Sequence, residues 1–209
     1  GRGPVARETA ASMAGRRLRW RGRVTSEPVA FLGQVVAAVR DAEELVDLQL
    51  DLKVPVPPDD AQLEGLVRAI EPVHDRVRVT STADWALWPL HALDGRLALG
   101  FDPLQYVDAP RAGGYTEPPL HAGAYGYLDD HPLAAGAWGS PAAYLALRAA
   151  GLWRQAPPGC AWYIRGKTLA QALDDGFDWI AWLHERGAML DAWTLDAESQ
   201  GDVALARRL

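Results

Sequence analysis

The chain has 209 residues, 49% of them hydrophobic and 23% charged, with a formal net charge of -6 and a pI near 5.3. This profile fits one globular domain with a sizeable core, and the acidic balance gives no overall electrostatic footprint for nucleic acid or an anionic membrane. A single cysteine, Cys160, excludes an intrachain disulfide and a cysteine-rich zinc site and fits a reducing, cytoplasmic compartment. No apolar run approaches the roughly 20 residues that span a bilayer, and no signal-peptide core opens the chain.

In chain order, "RRLRWRGR" first sets Arg16, Arg17, Arg19, Arg21 and Arg23 around Trp20. Such a patch suits anionic headgroups or nucleic acid, but a short basic run in an acidic chain reads as solvated surface. Strict alternation follows in "LVDLQLDLK", with Val46, Leu48, Leu50 and Leu52 in one row and Asp47, Gln49, Asp51 and Lys53 in the other. That period of two predicts a strand. Pro55, Pro57 and Pro58 stop it, and Asp59 or Asp60 caps a helix running to about Ile70. "RVRVTS" is a second strand, Asp84 to Leu93 a helix and "RLALGF" a third strand. From Asp102 to Ser140 the composition turns to Gly, Pro and Tyr, which predicts a long loop. "PAAYLALRAAG" reads as a helix with Pro141 at its start and Gly151 at its end. "CAWYI" is a short strand, helices follow at Lys167 to Asp174 and Phe177 to Arg186, "AMLDAWTL" is the last strand, and "AESQGDVALARRL" is a closing helix.

Repeated strand and helix units of this size predict an α/β fold with a parallel sheet, either doubly wound or a (β/α)8 barrel. A central strand of a doubly wound sheet is covered on both faces and should be apolar on both. The 46–53 strand has one polar row, as the lumen face of a barrel strand would, and that row ends in Asp51 and Lys53 at the carboxyl end, where barrel chemistry sits. The same pattern is open to a plainer reading, a buried ion pair or a solvated edge strand.

The succession "LQLDLK", "VRVTS", "LALGF" and "HERGAMLDAWTLDA" resembles the middle and carboxyl-terminal part of the glycerophosphodiester phosphodiesterase family. The start, "GRGPVARETAASMAGRRLRWRGR", is similar to the segment that follows that family's second catalytic histidine. The resemblance implies one domain over residues 1–209, a TIM barrel of the phosphatidylinositol-phospholipase C type, with the long loop at about 102–140. It also implies metal-dependent hydrolysis of a glycerophosphodiester to an alcohol and sn-glycerol 3-phosphate, a step in lipid metabolism. Asp51 falls where the family has a glutamate that binds the divalent metal, Mg²⁺ or Ca²⁺, and is one carbon shorter. Lys53 falls on the lysine that approaches the phosphate, and Trp193 on the tryptophan lining the headgroup pocket. The family's His-Arg pair, its paired acidic ligands, its second histidine and its last Thr-Asp strand have no counterpart here, and five strands are fewer than the eight that close a barrel. The expectation is therefore a barrel incomplete at both ends, part of a longer chain. Two other readings stay open, a non-catalytic barrel that binds phosphoesters or a protein partner, and a barrel enzyme that uses Lys53 as a Schiff-base lysine.

Other constellations carry less. His121 and "DDHP" at Asp129 to Pro132 suit a turn better than a metal site, since no second spaced cluster accompanies them. Tyr106, Tyr115, Tyr125 and Tyr127 would suit either a substrate lid or an ordinary packed loop. Ser81 ends a strand without a nucleophile-elbow motif, and His74, His91 and His184 fall in or beside helices of the outer ring. No phosphate-cradling P-loop or dinucleotide fingerprint is present.

Overall fold

Leu48 and Leu50 turn to one side of a short strand and Gln49 and Asp51 to the other, and the same division runs through the sheet built on that strand. The computed structural model describes residues 8–45, 47–53, 56–107 and 140–209. Helix α1 (Ala10–Ala14) leads into an antiparallel hairpin of β1 (Arg17–Trp20) and β2 (Arg23–Pro28), followed by α2 (Leu32–Asp41). Then come β3 (Leu48–Asp51), α3 (Asp60–Ile70), β4 (Val77–Ser81), α4 (Asp84–Leu93) and β5 (Ala98–Phe101). The chain ends with α5 (Pro141–Gln155), β6 (Ala161–Arg165), α6 (Gly166–Asp174), α7 (Trp179–His184), β7 (Leu190–Trp193) and α8 (Gln200–Arg208).

Strands β3 to β7 form one five-stranded sheet in the order of the sequence, and every neighbouring pair is parallel. A doubly wound sheet reverses its strand order and covers both faces. Sequential order, with the helices packed on one face, is the arrangement of a barrel arc. Residue by residue, the register places Leu48, Leu50, Val77, Val79, Leu99, Phe101, Trp162, Ile164, Leu190 and Ala192 on the outer face. All of them join one hydrophobic core with Leu63 and Ile70 of α3, Leu87 and Leu90 of α4, and Leu145 and Leu152 of α5. Leu48, Leu50, Leu190 and Ala192 are partly buried, and each fully buried large side chain among the others contributes about 2 kcal/mol towards fixing the helices on this side.

The inner face is polar and laced together. Gln49 donates to the Thr80 hydroxyl at 3.1 Å, Arg78 donates to the Tyr163 hydroxyl at 3.3 Å, and the Arg78 guanidinium lies 3.7 Å from the Asp47 carboxylate. Gly100 sits between Thr80 and Tyr163 on the same face, and a Cβ there would lie 2.5 Å from Tyr163 Cε2 and 2.6 Å from Thr80 Cγ2. Only glycine lets the ring and the methyl close over this strand.

Local sequence accounts for most boundaries. Asp59 accepts from the Gln62 amide at 2.7 Å while the Gln62 side chain accepts from the Asp59 amide at 3.1 Å, a reciprocal cap that starts α3 where the proline-rich run ends. Ser140 caps α5 through the Ala143 amide, with Pro141 in the first turn. Here the structure departs from expectation: α5 runs through Gly151 to Gln155, because that glycine has open space around it and the helix stops only before Pro157 and Pro158. The arginine-rich segment is solvent-exposed, as its reading as solvated surface expects, and it forms the β1–β2 hairpin, with Leu18, Trp20 and Val24 exposed as well. None of the helices among the described residues is long and apolar enough to cross a membrane.

Candidate active site

Because all five strands run in parallel, their carboxyl ends share one rim, and the last inward residues of the strands meet there. Asp51 closes β3, and Lys53 lies two residues on, with its Nζ 2.6 Å from Asp51 Oδ2. Lys53 is 81% exposed and Asp51 47%, so the pair is a solvent-facing one on a strand that has a single neighbour among the described residues. Of the plainer reading, the edge position is present, whereas the ion pair is exposed and not buried, and it stands at the rim where the barrel reading puts the site.

Across the sheet, Asp102 extends β5 by one residue. Its amide donates to the Ser81 carbonyl at 3.0 Å, and its Oδ1 accepts from the Leu104 amide at 2.9 Å, capping the single turn Pro103–Gln105. Burial pushes the Asp102 carboxyl up to about 7; the Leu104 amide opposes this, the Asp51 charge adds to it, and Arg165 and Lys53 work against it. Asp51, Lys53, Asp102 and Arg165 thus share one electrostatic neighbourhood. Arg165 ends β6 directly opposite Trp193, the last residue of β7, and its guanidinium lies 5.0 Å from the centre of the indole ring. The Trp193 Nε1–H is shielded from solvent and has no hydrogen-bond partner among the described residues.

The structure therefore gathers Asp51, Lys53 and Trp193 along one rim and adds two residues that sequence reasoning passed over, Asp102 and Arg165. Asp51 supplies an oxygen donor of the kind a hard divalent cation takes together with water and phosphate oxygens. Among the described residues, no three His, Cys, Asp or Glu side chains gather into a complete metal cage.

The remaining candidates lie elsewhere. Ser81 Oγ donates to the Leu52 carbonyl at 2.7 Å and accepts from the Ala83 amide at 3.1 Å, a structural role that ties two strand ends together. His74 contacts Asp94 at 3.1 Å, and Arg96 donates to the same carboxylate, so hydrogen bonds from Arg96 hold Asp94 down at about 2. Both His74 and Asp94 precede their strands, at the end opposite the rim. Tyr106 donates to Asp84, and its ring lies under the Arg148 guanidinium at 5.8 Å, so it is packed in place rather than poised over the rim. His121, the "DDHP" run, Tyr115, Tyr125 and Tyr127 lie outside the described residues, as do Val46 and Pro55. A cleft of about 420 Å³ lined by Trp88, Trp153, Pro157 and Cys160 opens beside the start of β6. The strand from Ala161 to Arg165 separates that cleft from the rim by roughly 13 Å, and burial pushes the Cys160 thiol up to about 12, leaving it unreactive.

No family model matches the sequence, and no curated protein matches it. Among solved structures, the chain is similar to one described as a "putative glycerophosphodiester phosphodiesterase" from Galdieria sulphuraria, with a TM-score of 0.58 and 14% identity. The match covers 96% of this chain and 63% of that one, so the chain spans less than two thirds of its neighbour's length. At this identity the likeness is one of fold and carries no activity over to this chain, whose parallel α/β sheet with outer helices is what the two share.

Proposed function

We propose that the protein is a metal-dependent phosphodiester hydrolase that releases an alcohol and sn-glycerol 3-phosphate from glycerophosphodiesters. The observation that carries this reading is the delivery of Asp51 and Lys53 to the carboxyl rim of a sheet with barrel strand order, the fold of the Galdieria neighbour. Asp51 would hold Mg²⁺ or Ca²⁺ together with water and phosphate oxygens, and the bound ion supplies Lewis-acid polarisation of the phosphoryl group. Lys53 then turns from Asp51 towards a phosphodiester oxygen as a mobile point charge. Trp193 walls the headgroup side with its indole ring. Asp102, able to hold its proton near neutral pH, keeps the rim from carrying two full carboxylate charges and so lessens repulsion of an anionic substrate.

In the family this chain resembles, two histidines transfer the protons, and they have no counterpart in these 209 residues. Turnover is therefore proposed for the whole protein and ligand binding for this chain. A cytoplasmic setting and a place in lipid metabolism, acting on deacylated phospholipid, belong to the same proposal. The Schiff-base alternative gains little support, because Lys53 is exposed and paired with a carboxylate, whereas such lysines are desolvated or set beside another cation.

The test is hydrolysis of a glycerophosphodiester by the whole protein with and without Mg²⁺. Asp51→Ala is expected to lower kcat/KM by roughly a hundredfold or more and to abolish metal dependence. Undiminished hydrolysis by that variant would remove Asp51 from the metal site.

A further inference from the structure

We propose that the β1–β2 hairpin docks on an anionic lipid surface, with Trp20 at headgroup level and the arginines around it on lipid phosphates. The proposal concerns a face that the phosphodiester reading does not use, and it stands or falls without that reading.

From Arg16 to Ser26 the sequence carries five arginines and no acid, in a chain whose acids outnumber its bases 27 to 21. Glu8 takes up Arg16, and the Arg21 guanidinium lies 5.8 Å from the centre of the Trp20 ring. The side chains of Arg17, Arg19 and Arg23 make no hydrogen bond or ion pair among the described residues, and the nearest acid along the strands, Glu27, accepts from the Ser26 hydroxyl. Three guanidinium charges are thus left for a partner.

A run that served only to be solvated would have no use for apolar groups, yet this one exposes Leu18, Val24 and Trp20, the last at 69%. Trp20 stands directly across from Arg23, and Arg19 directly across from Val24, so each face of the hairpin sets a cation beside an apolar side chain. Nothing in β1 is buried, and a two-stranded hairpin on its own in water is marginal in stability. The tip is tight: Arg21 and Gly22 both have positive φ, 48° and 80°, as a primed two-residue turn requires. Arginine adopts that conformation at a cost that asparagine would largely avoid, so the charge is held at the tip against local preference.

Cations interleaved with an indole and aliphatic side chains match a bilayer interface. There guanidinium groups meet phosphates, tryptophan sits at headgroup level, and aliphatic groups reach the acyl boundary. A nucleic acid would satisfy the arginines and stack on Trp20 but would offer Leu18 and Val24 no apolar medium. The net charge of -6 does not oppose such local docking, since at physiological salt exposed charges more than about 8 Å away are largely screened.

Sedimentation of the full chain with vesicles tests this, using phosphatidylcholine alone and equal parts phosphatidylcholine and phosphatidylglycerol. The expected result is binding about tenfold or more tighter to the anionic vesicles, weakening as salt rises from about 0.1 M to about 0.5 M. The triple variant Arg17→Gln, Arg19→Gln, Arg23→Gln should reduce that preference to within about twofold. Should it fail to fold, the three single variants replace it, each expected to lose about twofold to fivefold. Trp20→Ala leaves every charge in place and should still weaken binding about fivefold, a loss that adsorption by charge alone would not show. Equal binding to the two vesicle types, a preference that survives loss of the arginines, or unchanged binding by Trp20→Ala would overturn the proposal. So would tighter binding to a mixed-sequence DNA duplex than to the anionic vesicles at equal phosphate concentration, which would make nucleic acid the partner. Hydrolysis is read separately, so none of these outcomes touches the phosphodiester reading.

Discussion

Asp102 combines two roles that pull on its charge in opposite directions. As a cap it accepts from the Leu104 amide, which favours the carboxylate; as a partly buried group beside Asp51 it is driven towards the acid, up to about 7 from 3.8. A carboxyl whose folded value is raised contributes stability that is fully present below pH 3.8 and is lost as the pH climbs through about 7. Asp102→Asn keeps a capping oxygen and cannot ionise. It is expected to match the wild type near pH 4 and to exceed it at pH 8 by roughly 2 kcal/mol, less than the full shift implies because the site is partly open to solvent. Urea denaturation at the two pH values checks this; parallel curves for the two proteins would show that the carboxyl is not strained. The residue escaped sequence reading because it is the first residue of what reads as a loop, directly after "ALGF". Arg165 escaped for a related reason: its strand carries Ala161 and Tyr163 on the inner face, so no polar row announces it.

At the scale of elements, the sheet depends on an absence. The missing side chain at Gly100 lets Tyr163 and Thr80 meet across β5, and the Tyr163 hydroxyl then receives Arg78 from β4. Gly100→Ala would push the ring aside and is expected to cost about 1–3 kcal/mol, read as a lower urea midpoint with unchanged slope. Pairing it with Tyr163→Ala should give a loss smaller than the sum of the two, because the clash with the ring disappears and only that with the Thr80 methyl remains. The five parallel strands and the helices from α3 onward were legible in the sequence because their apolar rows, caps and prolines act within a few residues of one another, whereas α1 and α2 were not read from it. The end of α5 was not, since Gly151 tolerates a helix interior where nothing crowds it, and the hairpin at 17–28 was not, since its burial pattern is almost wholly exposed and leaves no apolar row to read.

Taken whole, the molecule sets its candidate site residues at both margins of the sheet. Of the rim residues, Asp51 belongs to β3 and Trp193 to β7, and each of those strands has a single neighbour among the described residues, whereas β4, β5 and β6 are flanked on both sides. The alternation in "LVDLQLDLK" made Asp51 and Lys53 visible from sequence for the same reason that leaves them on weakly protected backbone: one row of the strand is buried only in part, and the other is open. The consequence is a gradient of local opening. Amide hydrogens of β4 to β6 should exchange at rates near those of global unfolding, while those of β3 should exchange by small openings that cost far less. Native-state hydrogen exchange would show this as a fast margin beside a slow centre, and uniform protection across all five strands would refute it. A ligand that bridges Asp51 or Lys53 to the interior at Asp102 would then be felt first as slowed exchange along β3, because binding ties the loosest strand to the firmest part of the sheet.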